Sequence, residues 1–219
     1  IDPAGEVAAF CDSTDHWMPL VCTMNVTVVT EQIRQLFGFE LADLEQAVSS
    51  APAGAEGILF LPYLNGERTP NLPGGSGVLH GLRPDNMTSA NLARAAMEGA
   101  TLGLAYGLKR FRELGMNPSE IRLTGGGSKS PAWRQIAADA FGVPVVTLST
   151  AEGAGLGAAI QAACASLGGE RDYADLCGQL VAVDEASRCT PDQGAVAHYS
   201  EQLERHINLT RNLAEAGQL

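Results

Sequence analysis

Three consecutive glycines between an apolar segment and a helix start restrict the fold of this 219-residue chain more than any other feature. The segment 121–124 predicts a short strand, and Ser130 followed by Pro131 is typical of a helix N-cap and a first helical position. Because glycine has no Cβ, its backbone amides can approach a ligand closely, and the start of a helix favours an anion. The turn at 125–127 therefore predicts a site for a phosphate or for the face of a base. A tight turn that binds no ligand is the alternative.

Strands and helices alternate through the middle of the chain, which is typical of an α/β domain with crossover connections. The longest predicted helix carries Gly99, Gly103 and Gly107, and three glycines that weaken a helix indicate that another element packs close to its backbone. Pro144 predicts either an edge strand or a position at the start of its strand. The predicted strands are 6–11, 58–61, 78–82, 121–124 and 143–148, and the predicted helices are 21–37, 40–48, 88–114, 131–141, 155–167 and 195–214, with a long loop at 62–77.

Charge is unevenly distributed along the chain. The net charge is −11, which argues against a general nucleic-acid binder. Residues 57–169 carry seven acids and nine bases, a net charge of +2, whereas the parts before and after them have net charges of −8 and −5. An anion is therefore expected to bind in the middle, where the glycine turn lies. No apolar run reaches the ~20 residues of a membrane-spanning helix, so no membrane partner is predicted.

Cysteine and histidine spacing does not predict a metal site. The five cysteines include no CxxC pair and the four histidines no HxxxH pair, which are common spacings of zinc ligands. An odd number of cysteines in a chain of this size is typical of free thiols in a reducing compartment. The expected location is therefore the cytoplasm.

A second glycine-rich segment, GAGLGA at 153–158, fits the GxGxxA pattern of dinucleotide-binding turns. That pattern requires a second strand ending in an acidic residue, and the sequence after position 170 does not read as a strand. Packing of helix 155–167 against a sheet is the other explanation. It predicts one buried stripe, formed by Leu156, Ile160, Ala163 and Leu167.

The loop at 62–77 contains a charged pair, Glu67 and Arg68, between two predicted strands. Such a pair either holds the shape of the loop or contacts a substrate. The residue types alone leave both interpretations open.

Several sequence strings together resemble the FGGY family of carbohydrate kinases, and specifically the carboxy-terminal domain of its members. The strings are LPYLNGERTP at 61–70, GVLHGL at 77–82 with NLARAAME at 91–98, LTGGGSKSPAWRQ at 123–135 and EGAGLGAA at 152–159. The resemblance covers nearly the whole chain. It implies an α/β fold of the actin-like, ribonuclease H-like ATPase type. Residues 1–219 would form one nucleotide-binding domain, and the amino-terminal sugar-binding and catalytic domain would be absent from this chain.

The resemblance also implies where the nucleotide binds. The glycine turn is expected to contact the adenosine and the α-phosphate of ATP through its backbone, and the residue that starts the next helix is expected to add a polar contact. Two residues of helix 21–37 match positions that line the adenine pocket in the family. The expected cofactor-binding residues are Gly125, Gly126, Gly127, Ser130, Thr27 and Glu31.

The implied reaction is transfer of the γ-phosphoryl group of ATP to a sugar hydroxyl, with D-xylulose as the expected sugar. A kinase for glycerol, gluconate or ribulose and a non-catalytic nucleotide-binding domain are the alternatives. In the family the catalytic base, the Mg²⁺ ligands and the sugar contacts lie mainly in the other domain. No catalytic or metal-binding residue is therefore predicted here, neither Asp139 nor Glu98 is assigned as a base, and the chain alone is expected to be inactive. Its expected partners are ATP, the sugar and the missing domain, and a homodimer is left open.

Overall fold

The computed structural model describes residues 2–150, 152–168 and 172–219. Within these ranges the chain forms seven strands and seven α-helices, with short 3₁₀ turns at Ala55–Gly57 and Gly126–Lys129. The strands are β1 (Ala8–Cys11), β2 (Trp17–Leu20), β3 (Leu59–Pro62), β4 (Gly77–His80), β5 (Ile121–Leu123), β6 (Val145–Leu148) and β7 (Val183–Cys189). The helices are α1 (Thr27–Phe37), α2 (Leu41–Ser50), α3 (Ser89–Glu113), α4 (Pro131–Phe141), α5 (Gly153–Ser166), α6 (Tyr173–Leu180) and α7 (Gln193–Glu215).

The strands form three small sheets in the described part of the chain. β1 pairs with β2 and β3 pairs with β4, both antiparallel. In the third sheet β6 lies in the middle, parallel to β5 and antiparallel to β7. Pro144 directly precedes β6, and its carbonyl accepts a hydrogen bond from the Ile121 amide at 2.9 Å. The proline thus marks the start of a central strand, and its interpretation as the mark of an edge strand is wrong.

Strand β7 was not predicted from the sequence, because VDEASRC is polar and does not alternate. Within it Ser187 is buried. The Ser187 hydroxyl accepts a hydrogen bond from the Thr147 amide at 2.8 Å and lies 2.6 Å from the Asp184 carbonyl oxygen. A side-chain contact therefore supplements the irregular ladder between β6 and β7, and hydrophobic periodicity cannot reveal a strand held in this way.

Helix α3 lies at the centre of the main core and packs against α1, α2, β3, α4 and α7. A Cβ on Gly99 would lie 2.3 Å from the Phe60 carbonyl oxygen, and a Cβ on Gly107 would lie 2.7 Å from Cγ1 of Val21. A Cβ on Gly103 would meet no atom within 4 Å. The predicted close packing is therefore confirmed at Gly99 and Gly107 but not at Gly103.

A buried ion pair joins α3 to its neighbours. Arg94 Nε lies 2.7 Å from Glu98 Oε1, and Glu98 also accepts a hydrogen bond from the Tyr199 hydroxyl of α7 at 2.7 Å. Arg94 donates to the Val48 and Ala51 carbonyls at 3.1 Å, which closes the end of α2. Burial, with Glu98 alongside, holds the pKa of Tyr199 well above its ordinary value. Glu98 is thus a structural residue with each of its close partners inside the fold.

Helix α1 begins at Thr27, six residues later than predicted. The residues before it are held by the loop that follows β3. The Met24 amide donates to Glu67 Oε1 at 2.6 Å, and the Asn25 side chain donates to the Gly66 carbonyl at 2.6 Å. These long-range contacts replace the helical hydrogen bonds that the apolar pattern had predicted.

Helix α5 differs from its prediction in how it packs. Of the predicted stripe only Ile160 is buried, and Leu167 lies beyond the end of the helix with 37% of its surface exposed. A Cβ on Gly157 would meet no atom within 4 Å. The expectation that its glycines let α5 lie against a sheet is therefore wrong for the described residues. Gly169, which follows the predicted helix 155–167, lies outside the described residues.

Candidate functional site

A cleft of about 590 Å³ lies between the glycine turn with the start of α4 on one side and helices α1 and α2 on the other. Five of the six predicted nucleotide-binding residues line it: Thr27, Glu31, Gly126, Gly127 and Ser130. The sixth, Gly125, lines an adjoining cavity of about 210 Å³ together with Thr27 and the other two glycines. The structure thus brings together residues that are about 100 positions apart in the sequence.

The three glycines of the turn differ in what surrounds them. Gly125 has a φ of +87°, a conformation that residues with a side chain rarely adopt. A Cβ on Gly127 would lie 3.0 Å from the ring of Trp133, whereas a Cβ on Gly126 would meet no atom within 4 Å. Because Gly126 and Gly127 start a 3₁₀ turn, their amides have no earlier carbonyl within that turn to bond. Gly126 therefore offers bare backbone to the cleft.

The walls of the cleft are mostly apolar. Leu41 and Leu44 of α2, Met97 of α3 and Trp133 of α4 contribute to them. The Trp133 indole nitrogen donates a hydrogen bond to Thr101 Oγ1 at 2.9 Å, which fixes the ring inside the fold. A flat, largely apolar group such as a nucleobase fits such walls.

The α1 side of the cleft carries Thr27 and Glu31. Thr27 is exposed and is the first residue of the helix. Glu31 Oε2 lies 2.9 Å from Nε of Arg34, and Arg34 also donates to the Phe39 carbonyl at 2.9 Å. The charge of Glu31 is therefore paired within α1, and its contact with an adenine remains a prediction.

Ser130 caps α4 and contacts a residue that sequence reasoning missed, Glu45 of α2. Its hydroxyl accepts a hydrogen bond from the Trp133 amide at 3.0 Å and donates to Glu45 Oε2. Glu45 Oε1 accepts from the Ala132 amide at 2.7 Å and also lines the cleft. Nothing in the spacing of Glu45 indicated this role, because Ser130 is 85 residues away.

The loop charges Glu67 and Arg68 have separate surroundings. Glu67 is 4% exposed, and its carboxylate accepts hydrogen bonds from the amides of Met24 and Arg68 and from the Asn25 side chain. Arg68 is exposed and donates to the Cys22 sulfur at 3.4 Å. Glu67 therefore holds the loop to the segment before α1, as one of the two open interpretations predicted.

Asp139 serves the fold. Its carboxylate accepts hydrogen bonds from the Asp192 amide and from the Gln135 side chain, both at 2.9 Å, and burial raises its pKa.

Among the described residues no group of three His, Cys, Asp or Glu side chains is arranged to hold a metal ion. In the same residues, no helix combines the length and the apolar character that crossing a membrane requires.

Solved structures of sugar kinases superpose on most of this chain. The crystal structure of ligand-bound xylulose kinase from Lactobacillus acidophilus superposes with a TM-score of 0.87 over 98% of this chain and 43% of that one, at 28% identity. Glycerol kinase from Plasmodium falciparum with ADP gives a TM-score of 0.75 over 94% of this chain and 44% of that one, at 14% identity, which bears on the fold alone. The chain thus has the actin-like ATPase fold of sugar-kinase carboxy-terminal domains.

The profile of the FGGY family of carbohydrate kinases, C-terminal domain, matches residues 15–166. The xylulose kinase of Haemophilus influenzae is 44% identical over 201 residues, which are 92% of this chain and 40% of that protein. This chain therefore belongs to the FGGY family of carbohydrate kinases. It spans about 40% of the length of that relative.

Proposed function

We propose that this chain is the ATP-binding half of a carbohydrate kinase that transfers the γ-phosphoryl group of ATP to a hydroxyl of D-xylulose, giving xylulose 5-phosphate. The observation that carries the proposal is the meeting of all six predicted nucleotide-binding residues at one cleft and the cavity beside it. Bare backbone at Gly126 gives a ligand close access to this cleft.

The names of the relatives support D-xylulose as the sugar. The Haemophilus influenzae relative and one from Streptomyces rubiginosus, 40% identical over 163 residues, are both xylulose kinases. A gluconate kinase from Lactobacillus acidophilus also superposes well, with a TM-score of 0.87, which keeps other sugars and sugar acids as the alternative. We propose that the sugar contacts, the catalytic base and the Mg²⁺ ligands lie outside this chain, as the family resemblance implies.

The residues of this chain would bind and orient the nucleotide. The apolar walls around Trp133 would exclude water from the base, and the amides of Gly126 and Gly127 would donate to the ribose or to the α-phosphate. Lys129, exposed at the margin of the cleft, would offset phosphate charge. ATP supplies the phosphoryl group when it is bound, and this chain would form one side of a cleft that closes on it.

We place the protein in the cytoplasm on its cysteine pattern, and a homodimer stays a prediction.

A pair of measurements tests this proposal. Calorimetric titration of the 219-residue chain with ADP should show weak binding, and the same chain should not phosphorylate D-xylulose in a coupled ADP-release assay. The corresponding longer protein, extended to the length of its relatives, should turn over D-xylulose faster than glycerol, gluconate or ribulose. Failure of the 219-residue chain to bind any adenine nucleotide would contradict the nucleotide role. Steady phosphorylation by that chain alone would contradict the proposed division between the two halves.

A further inference from the structure

The start of helix α4 is already occupied by a charge of the protein itself. α4 has eleven residues, and its first amides would ordinarily be available to an anion. Glu45 Oε1 accepts from the Ala132 amide at 2.7 Å, and Ser130 Oγ takes the Trp133 amide at 3.0 Å while donating its proton to Glu45. One carboxylate and one hydroxyl therefore satisfy the two amides that a phosphate would need.

The charges around the cleft also oppose the binding of a phosphate at the start of α4. Two carboxylates, Glu31 and Glu45, are among the described residues that line it, and Lys129 is the only cation among them. Glu31 is paired with Arg34, but Glu45 accepts its hydrogen bonds only from uncharged donors in the described structure. A phosphate placed beside Glu45 would meet uncompensated like charge in a partly buried position.

We infer that Glu45 determines which end of the ligand enters the cleft: it excludes phosphate from the start of α4 and admits the uncharged nucleoside end. This inference rests on the proposed nucleotide site. A carboxylate accepts hydrogen bonds and cannot donate them, so ligand groups beside Glu45 must be donors. The ribose hydroxyls and the amino group of adenosine are donors, whereas ionised phosphate oxygens are not. The phosphates are thereby directed towards Gly126 and Lys129.

The test compares adenosine, ADP and inorganic pyrophosphate as ligands of the 219-residue chain by calorimetry at low ionic strength. Glu45→Gln keeps an amide oxygen for the Ala132 amide but removes the charge. Its affinity for ADP relative to adenosine should rise about fivefold over wild type, the size expected for one charge at a helix start. Pyrophosphate should bind Glu45→Gln more tightly than wild type by a similar factor.

Two further variants separate this role from simple capping of α4. Glu45→Asp keeps the negative charge, so it should retain the wild-type ratio of ADP to adenosine affinity even where it lowers the melting temperature. Glu201→Gln removes one charge from an exposed position on α7 outside the residues that line the cleft, and should leave the ratio unchanged.

The outcomes are distinguishable. A ratio in Glu45→Gln that stays within twofold of wild type, with adenosine and ADP still binding, would overturn the role of Glu45 and leave the proposed function standing. A wild-type chain that binds neither adenosine nor ADP would overturn the proposed function, and the inference with it.

Discussion

Gly126 is the residue at which the nucleotide site can be tested without disturbing the fold. A Cβ there meets no atom within 4 Å, and its φ lies outside the left-handed region, in contrast to Gly125. We expect Gly126→Val to fold normally and to lose at least tenfold in ADP affinity, because the valine methyls would fill space beside the bare backbone. Calorimetry measures the affinity, and circular dichroism measures the melting temperature.

The matched control for that variant is Gly157→Val. Gly157 is also exposed, and a Cβ there also meets no atom within 4 Å, but it lies in α5 away from the cleft. It should bind ADP as wild type does. Equal ADP affinity in the two variants would mean that the nucleotide does not lie against the glycine turn.

His206 is the residue that should make stability depend on pH. It is 2% exposed, and burial lowers its pKa to about 4. The folded protein thus holds the neutral ring while the unfolded chain titrates near the ordinary value of 6.5. The contribution of the neutral His206 ring to the unfolding free energy is therefore fully present above pH 6.5 and is lost as the pH falls from 6.5 towards 4. Between pH 7 and pH 5 the loss should be roughly 2 kcal/mol of unfolding free energy.

Urea unfolding at the two pH values measures this loss, with His206→Gln as the comparison because glutamine does not titrate. Nε2 of His206 lies 3.0 Å from the Tyr63 hydroxyl oxygen, so the variant disturbs a buried contact and should be less stable at both pH values. Its unfolding free energy should nevertheless fall less than that of the wild type between pH 7 and pH 5. An identical pH dependence in wild type and variant would mean that His206 is not held neutral by burial.

At the scale of elements, Glu67 decides where α1 begins. Its buried carboxylate accepts hydrogen bonds from the amides of Met24 and Arg68 and from the side chain of Asn25. Replacing it by alanine leaves the amides of Met24 and Arg68 without this acceptor and leaves the Asn25 side chain with the Gly66 carbonyl alone. An unsatisfied buried donor costs about 1–3 kcal/mol. We therefore expect Glu67→Ala to lower the unfolding free energy by roughly 3 kcal/mol.

The neighbouring variant Arg68→Ala is the control, because Arg68 is exposed and should change stability by less than about 0.5 kcal/mol. Urea unfolding of both proteins provides the comparison. If the two variants lost the same stability, the loop would not be held by Glu67.

The sequence predicted elements well where one local signal controlled them. Ser130 caps α4 as expected, and the predicted helices 131–141 and 88–114 match α4 and α3 to within one residue at each end. Prediction from the sequence failed where contacts between residues far apart in the chain determine where an element begins or how it packs. Met24 and Asn25 are held by a loop some 40 positions away, and the apolar face of α5 has little to pack against among the described residues.

At the scale of the whole molecule, the cleft could be predicted residue by residue because family motifs carry it. The glycine turn follows from its own residues as well as from the family resemblance, whereas Ser130, Thr27 and Glu31 follow as contacts from the resemblance alone, and all of them line two adjoining cavities. Glu45 could not be found in this way. Its role depends on the packing of α2 against the start of α4, which no pattern within either helix encodes.

We propose that the cleft at the glycine turn binds the nucleotide, and a crystal structure of the 219-residue chain with ADP would show whether it does. We expect electron density for the adenosine beside Gly126, between α1, α2 and α4, with the phosphates clear of Ala132. Density for the pyrophosphate at Gly155, at the start of α5, would contradict it and would indicate a dinucleotide-type turn there instead.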